Sequence, residues 1–435
     1  MTDRQAAFGL AALLFVVFNL NLRAIPSQDT RVIQLTALSL AVSLDATLDE
    51  FPDVGRSDGV QVRDGRVLPN YPVVPALVAA PFYAVAVAAG VIDAERPASA
   101  GLEGVGKITA SALTAVACAF LYLIVRGRFP AAPASLVVTA AALSSPWWSA
   151  ASQALWSHAA AACFLACAFL LSASVDRSRA AAIVAGSAIS LAVTSRLLLL
   201  PFAVGLLVLA RRSPHRWSLA VATVVPLAAL LAWQQVTFGH LLGGAAALES
   251  AATHGSTHQV AGAWTTSVLR GALGILISPN RGMLIFMPLV LWTGSGALRL
   301  WRSADGRWLV VAPTLAYLAG WSGYAVWWGG HSYGPRYATD IVIPLSLMAC
   351  AAIHGTPPLR DLVRRAAAVA LAWGIVVQAI GVFCYPGGAW NTEPVNVDQA
   401  HWRLWDWRDL QIVRTARAGL YTRHLPRLLG DGGAQ

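Results

Sequence analysis

Runs of mostly apolar residues, each near the ~20 needed to cross a bilayer, recur along this chain from Phe8 to Cys384. A hydrocarbon phase offers no water to unpaired backbone groups, so such runs are expected as helices. We place them near 7–22, 72–92, 105–125, 132–150, 156–174, 180–210, 217–236, 271–299, 308–328, 338–355 and 366–385. The run 180–210 is too long for one span and is interrupted at Thr194-Ser195-Arg196, so a kinked helix and a tight helical pair both stay open. The run 271–299 is broken at 278-SPNRG-282. The expected fold is an all-α polytopic membrane protein, a bundle of about 11 to 13 transmembrane helices.

Charge supports this reading. Only 12% of the residues are charged, against roughly 25% in soluble domains, and the mean hydropathy is +0.59. At 435 residues a soluble chain would divide into about three domains, but spans packed side by side form one body, here 1–385. The net charge of +10 is spread over short clusters between apolar runs: Arg126/Arg128, Arg177/Arg179, Arg211/Arg212/Arg216, Arg302/Arg307 and Arg360/Arg364/Arg365. That is the pattern of loops held on the cytoplasmic face. No nucleic-acid-binding module accompanies it. Phe8–Leu20, preceded only by Arg4 and followed by no small-x-small site, reads as an uncleaved signal anchor. The five cysteines all lie in apolar segments and read as small buried residues.

Three polar regions interrupt the pattern. Residues 23–71 hold seven of the 21 acidic residues. Residues 237–270 are rich in Gly and His, including His240, His254 and His258. Residues 386–435 form a polar tail whose end, with Arg414, Arg417, Arg423 and Arg427 among leucines, suggests a helix on a membrane surface. If the clusters from Arg211 onward are cytoplasmic, then 237–270 and 329–337 lie outside, and the acidic first loop should too. Counting spans forward from that loop puts Arg126/Arg128 outside as well. Either 72–92 does not fully cross or that cluster is an exception.

The first loop opens with 23-RAIPSQDTR-31. Pro26 fixes the backbone, and Ser27 or Asp29 is suited to cap the helix that follows. Val32, Leu35, Leu38 and Val42 fall at helical spacing, which predicts an amphipathic helix on the outer membrane surface. Asp29 has two readings. It is either a helix-end acid alone, or a general base at the water–lipid boundary, with Arg23 and Arg31 beside it to meet a phosphate. Tyr71 opens the next run at 70-NYPVVP-75, where an interfacial aromatic is also expected. His158 follows 144-SSPWWSAASQALW-156 and could be a ligand, a proton carrier or a hydrogen-bonded interior residue. Arg196 lies within 191-LAVTSRLLLLPF-202, where an unpaired arginine is costly, so it should face a cavity, a headgroup or an acid. The segments 278-SPNRGMLIFMP-288 and 327-WWGGHSYGPRYATD-340 combine Gly and Pro with Arg281 and Arg336, which are placed to bind an anion. His331, Tyr333 and Tyr337 add hydrogen-bonding groups. No Walker A motif points to ATP.

This order of parts resembles the C-type (GT-C) membrane glycosyltransferases, which include protein O-mannosyltransferases and aminoarabinose transferases. Three features carry the resemblance: the acid in 27-SQDTR-31 just after the first span, the helix after it, and the Tyr-Pro start of 70-NYPVVP-75. The segments 278-SPNRG-282 and 327-WWGGHSYGPRY-337 are similar to those of a bacterial branch of glycosyltransferase-like membrane proteins. The likeness spans most of residues 1–385.

It implies a GT-C-like bundle whose outer first loop carries juxtamembrane helices. It also implies inverting transfer of a sugar from a polyprenyl-phosphate donor to an acceptor hydroxyl, outside the bacterial plasma membrane. Asp29 would be the base, and Arg196, Arg281 or Arg336 would steady the departing phosphate. The acceptor would be a cell-envelope glycan, lipid or protein, recognised by 237–270 and the tail. The family often has two adjacent acids at this motif. Here Gln28 and Thr30 flank Asp29, and the acidic pair Asp49-Glu50 comes later, which leaves a divalent metal ion open. A transporter or flippase of lipid-linked glycans and a non-catalytic scaffold of the same fold are the rival readings.

Overall fold

The computed structural model describes residues 2–51, 54, 59–244, 264–354 and 360–421. Asp53, Asp58, His254, His258, Arg423 and Arg427 lie outside the described residues. Helices account for nearly all the regular structure. They are α1 (Asp3–Asn19), α2 (Gln28–Val42), α3 (Val73–Ala88), α4 (Ser99–Arg126), α5 (Ala131–Leu143), α6 (Ser157–Ser172), α7 (Arg179–Ser195), α8 (Leu200–Leu209) and α9 (Arg216–Phe238), then α10 (Val268–Ile277), α11 (Met283–Phe286), α12 (Thr293–Leu300), α13 (Ala312–Gly323), α14 (Val342–His354), α15 (Arg360–Cys384), α16 (Ala389–Thr392) and α17 (Gln411–Arg417). Among the described residues, three helical stretches are long and apolar enough to cross a membrane: Ser99–Arg126, Arg216–Phe238 and Arg365–Cys384.

Packing runs as a chain of neighbours: α1 on α4, α4 on α6, α6 on α7 and α7 on α9, with α12 on α14 and α10 on α13. Small residues allow the close approaches. A Cβ on Gly271 would run into the Ser322 carbonyl, and one on Gly296 into that of Met348, as in helix pairs that meet backbone to backbone. The outward faces stay apolar. Trp217, Val221, Val225 and Val236 of α9 and Phe8 and Leu13 of α1 are all more than half exposed.

The long run 180–210 is a helical pair. The backbone leaves helical form at Arg196 (φ −148°, ψ 98°), passes through a short 3-10 turn at Leu197–Leu199, and restarts as α8 with Pro201 in its first turn, where proline is tolerated. The run 271–299 is broken as expected at 278–282, between α10 and α11.

Two expectations need correction. The helix after the first run does form, but it does not lie free on a surface. Nine of its 15 residues are buried, Thr30, Gln34, Thr36 and Ser39 among them, while Val42 is exposed. It is covered on several sides because α3, the start of α4 and a β-hairpin pack around it. The run 72–92 does not traverse the bundle. Its helix α3 packs on α2, and the Tyr83 hydroxyl donates to the Leu102 carbonyl at 2.9 Å, in the first turn of α4.

The two ends of the bundle follow from this. Arg31, beside Asp29, donates to Ser99 at the start of α4 (2.9 Å). Arg126, at the end of α4, pairs with Asp3 at the start of α1 (3.0 Å). Arg126 therefore sits at the end opposite the first loop. Arg128, Asp176, Ala210 and Asp305 converge on one cleft of about 340 Å³, so several basic turns share one end of the bundle.

The one departure from an all-helical chain among the described residues is an antiparallel hairpin, β1 (Val60–Arg63) with β2 (Arg66–Pro69), in register Val60↔Pro69. Its turn is Asp64-Gly65, both at positive φ, the Asp-Gly pair that two-residue hairpin turns favour.

Candidate active site

Three segments far apart in the chain meet at the mouth of the bundle. Ser27 is the N-cap of α2, in a reciprocal capping box with Thr30. That frees Asp29, one turn position on, from the capping role. Its Oδ1 accepts from the Tyr71 hydroxyl at 3.0 Å. Its Oδ2 accepts from Arg336, 307 residues away, at 3.1 Å. The Asp29 side chain keeps 32% of its surface exposed and that of Arg336 only 11%. The Arg336 guanidinium lies over the Trp156 ring, 4.2 Å from its centre. Its Nε is buried and has no hydrogen-bond acceptor among the described residues, which leaves room for one at this spot.

Behind this pair lies a second, buried group. Asp340 is fully buried, and three side chains converge on it: His158 Nδ1 at 2.6 Å, Arg196 Nε at 3.0 Å and the Tyr317 hydroxyl at 2.9 Å. Arg196 itself remains 23% exposed. Tyr337 joins the two groups. Both guanidinium carbons lie over its ring, that of Arg196 at 5.0 Å and that of Arg336 at 5.4 Å. The site thus offers one accessible carboxylate and two arginines against one aromatic ring.

Other expected residues are placed elsewhere. Arg23 donates to the carbonyls of Val382 and Tyr385 and so fastens the first turn to the end of α15. Arg31 reaches Ser99 on the exposed side. Arg281, expected to bind an anion, is instead buried, and its donors go to protein acceptors: Trp328 O, Asn280 O, Gln411 Oε1, Gly330 O and Asn391 Oδ1. It is a strut between the 327–330 loop and the docked tail. Tyr333 spends its hydroxyl on the Val377 carbonyl at 2.8 Å. His331 turns toward the tail, 3.0 Å from Asp398. The tail does not simply lie on a surface, because α17 inserts Gln411 against Arg281, Gly334 and Ser332.

The acidic pair Asp49-Glu50 has no third metal-ligating side chain positioned with it to hold an ion, among the described residues, and Asp49 is engaged otherwise. It accepts from the Val67 amide at 2.6 Å and from Arg66 at 3.2 Å, and Asp45 takes the same Arg66 at 2.6 Å. These contacts clasp the outer edge of β2. The Val67 amide first, then Arg66 and Thr47, hold the Asp49 carboxyl below its ordinary value. A depressed folded value gives stability that is complete above the unfolded pKa of about 4 and is lost as pH falls through the folded one. Amide protection at Val67, corrected for intrinsic exchange, should therefore hold from pH 7 to about pH 4 and drop below that. Unchanged protection at pH 2 would show that the clasp does not depend on charge.

Sequence reasoning passed over Asp340, Tyr317 and Lys107. Lys107 is buried and donates to Phe18 O, Asn21 Oδ1 and Gln153 Oε1 within 2.9 Å. An acid in 338-ATDIVIPL-345 and a lysine in 105-VGKITASAL-113 were the available signals, since ionisable residues in apolar runs are expected to have named partners. No family model matches this chain, and no curated protein sequence matches it closely enough to count as a relative.

Proposed function

We propose that the protein is a polytopic membrane enzyme that transfers a sugar from a polyprenyl-phosphate donor to an acceptor hydroxyl, with inversion. The observation that carries this reading is the Asp29–Arg336 pair. An accessible carboxylate touches a largely buried arginine with an unfilled donor, and a second arginine shares the Tyr337 ring. A weak oxygen nucleophile needs a base, and a phosphate leaving group needs fixed positive charge in a low-dielectric place.

The chemistry closes on these residues. In the resting protein Arg336 rests on Asp29. A lipid phosphate would offer Arg336 the better acceptor and free one carboxylate oxygen. Asp29 then takes the proton of the acceptor hydroxyl as that oxygen attacks the anomeric carbon from the face opposite the phosphate. The bond from the anomeric carbon to the phosphate oxygen breaks, and its electron pair stays on the lipid phosphate, held by Arg336 and Arg196.

The apolar outer faces of α1 and α9 support a bundle with many spans, with α7 and α8 as a pair that turns back at Arg196. The arginine-rich end would face the cytoplasm and the Asp29 end the outside of the bacterial plasma membrane. The test is mass spectrometry of lipid that copurifies with the protein from its native membrane. A polyprenyl-phosphate sugar is expected, and its loss from Arg336→Ala at unchanged protein yield would place it at this site. Wild-type protein that neither retains such a lipid nor transfers sugar from one supplied to it would refute the reading.

A further inference from the structure

A second cleft, away from Asp29, lies where the end of the second polar loop meets the tail. Thr265, Thr266, Ser267 and Arg270 form one side, the 325–330 segment forms the back, and Asp398, His401, Leu404 and Trp405 form the other side. Its volume is about 650 Å³, within the range of small-molecule sites. Trp327 and Trp328 are buried behind it, and Trp405 and His401 present its open aromatic surface. The Trp327 and Trp405 rings stand 6.3 Å apart at 53°, and His401 lies 4.4 Å from Trp328. Asp398 sits among them half exposed. It accepts from Trp328 Nε1 at 3.1 Å with one oxygen, and His331 Nε2 lies 3.0 Å from the other.

We infer that this groove, with the Trp405 ring as its open aromatic face, binds a neutral carbohydrate, the glycan part of the acceptor. The identity as acceptor rests on the transferase reading above; the affinity for carbohydrate does not. Pyranose rings carry C–H faces that pack on indole rings and hydroxyls that donate to a carboxylate, and this groove supplies both kinds of surface. A hydrocarbon chain would fill the apolar part but bring no polar group to the Thr265 and Thr266 side chains or to the exposed half of the Asp398 carboxylate. A phosphate would meet Arg270 on one side but face the Asp398 carboxylate on the other. The groove is tied to the reacting centre through one loop. Arg281 holds the carbonyls of Trp328 and Gly330, and Arg336 follows six residues later in the same segment. A glycan seated here would be held by the loop that carries the phosphate-binding arginine, so remote binding can orient the reacting hydroxyl.

The test uses the full chain in lipid nanodiscs, because alkyl-glycoside detergents would themselves occupy the groove. Saturation-transfer NMR is recorded with the methyl pyranosides of glucose, galactose and mannose and with maltotriose. At least one is expected to show transfer to its ring C–H protons. Trp405→Ala should weaken binding about tenfold or more, Trp405→Phe should restore most of it, and Asp398→Asn should weaken it with unchanged thermal stability. Asp29→Asn should bind as wild type. Absence of saturation transfer from all four probes, or wild-type binding by both Trp405→Ala and Asp398→Asn, would overturn the inference. So would competition by a short alkyl chain alone. Carbohydrate binding without any sugar transfer would count against the transferase reading only. Transfer whose acceptor KM is unmoved by Trp405→Ala and Asp398→Asn would count against the groove only.

Discussion

Asp29→Asn is expected to lower sugar transfer by about 10²–10⁴-fold, the usual contribution of a positioned general base, while the protein folds and keeps its donor lipid. The substitution is nearly isosteric. An asparagine carbonyl can still accept from the Tyr71 hydroxyl, and the Ser27–Thr30 capping box that starts α2 does not involve position 29. What disappears is the charge, and with it the proton acceptor. The expected signature is therefore a split. The rate constant for transfer falls, but the donor KM stays the same or falls, because Arg336 no longer has a carboxylate to leave before it meets the phosphate. Arg336→Lys should behave in the opposite sense, with weaker donor binding and a slower release of phosphate, since a lysine cannot reproduce the planar fork of a guanidinium. The measurement is transfer of radiolabelled sugar in membranes and with purified protein, across donor concentrations. Full activity of Asp29→Asn would remove Asp29 as the base. A raised donor KM with an unchanged rate constant would make it a binding residue instead.

How much of this was legible in the sequence depends on the distance over which each feature is determined. The helices were legible because hydropathy is a local property, and so were the breaks at Thr194–Arg196 and Ser278–Gly282, where Gly, Pro and polar residues interrupt apolar runs. Ser27 as a cap was legible for the same reason. The hairpin at 60–69 carried its own local mark in Asp64-Gly65, which the emphasis on helices obscured. Asp29, Tyr71 and Arg336 were each marked as polar residues at the ends of apolar runs, but nothing local pairs residues 307 positions apart. Arg281 and Tyr333 carried the same kind of mark and turned out to be structural. Their acceptors come from a docked tail and from backbone carbonyls of a neighbouring helix, and neither is visible as a pattern. The boundary between a surface helix and a covered one at α2 was also not legible, because the cover comes from α3, the hairpin and the first turns of α4, segments that begin only at Val60 and beyond.

Asp340→Asn is expected to cost the fold about 3–5 kcal/mol, the usual consequence of removing one member of a buried ionic group. The carboxylate is the shared acceptor for His158, Arg196 and Tyr317, and its side chain is fully buried. Without it the Arg196 charge has no counter-ion, and the His158 Nδ1 position faces an amide that can satisfy it in only one orientation. Tyr317 is less affected, since its hydroxyl also reaches the Tyr337 carbonyl at 2.9 Å. The loss would be read as a fall in the thermal unfolding temperature in detergent. The companion variant separates structure from chemistry. Arg196→Met combined with Asp340→Leu removes both charges and leaves apolar groups of similar reach, an exchange that is often neutral or stabilising in buried sites. It should recover the part of the loss due to the unpaired Arg196 charge, while His158 Nδ1, still without its acceptor, keeps about 1–3 kcal/mol of it. If Arg196 also faces the donor phosphate, the recovered protein will still transfer sugar poorly, by about 10²–10³-fold for one lost stabiliser of developing charge. Recovery of stability together with full transfer would make the Arg196–Asp340 pair a purely structural device and leave Arg336 as the single phosphate-facing arginine of the site.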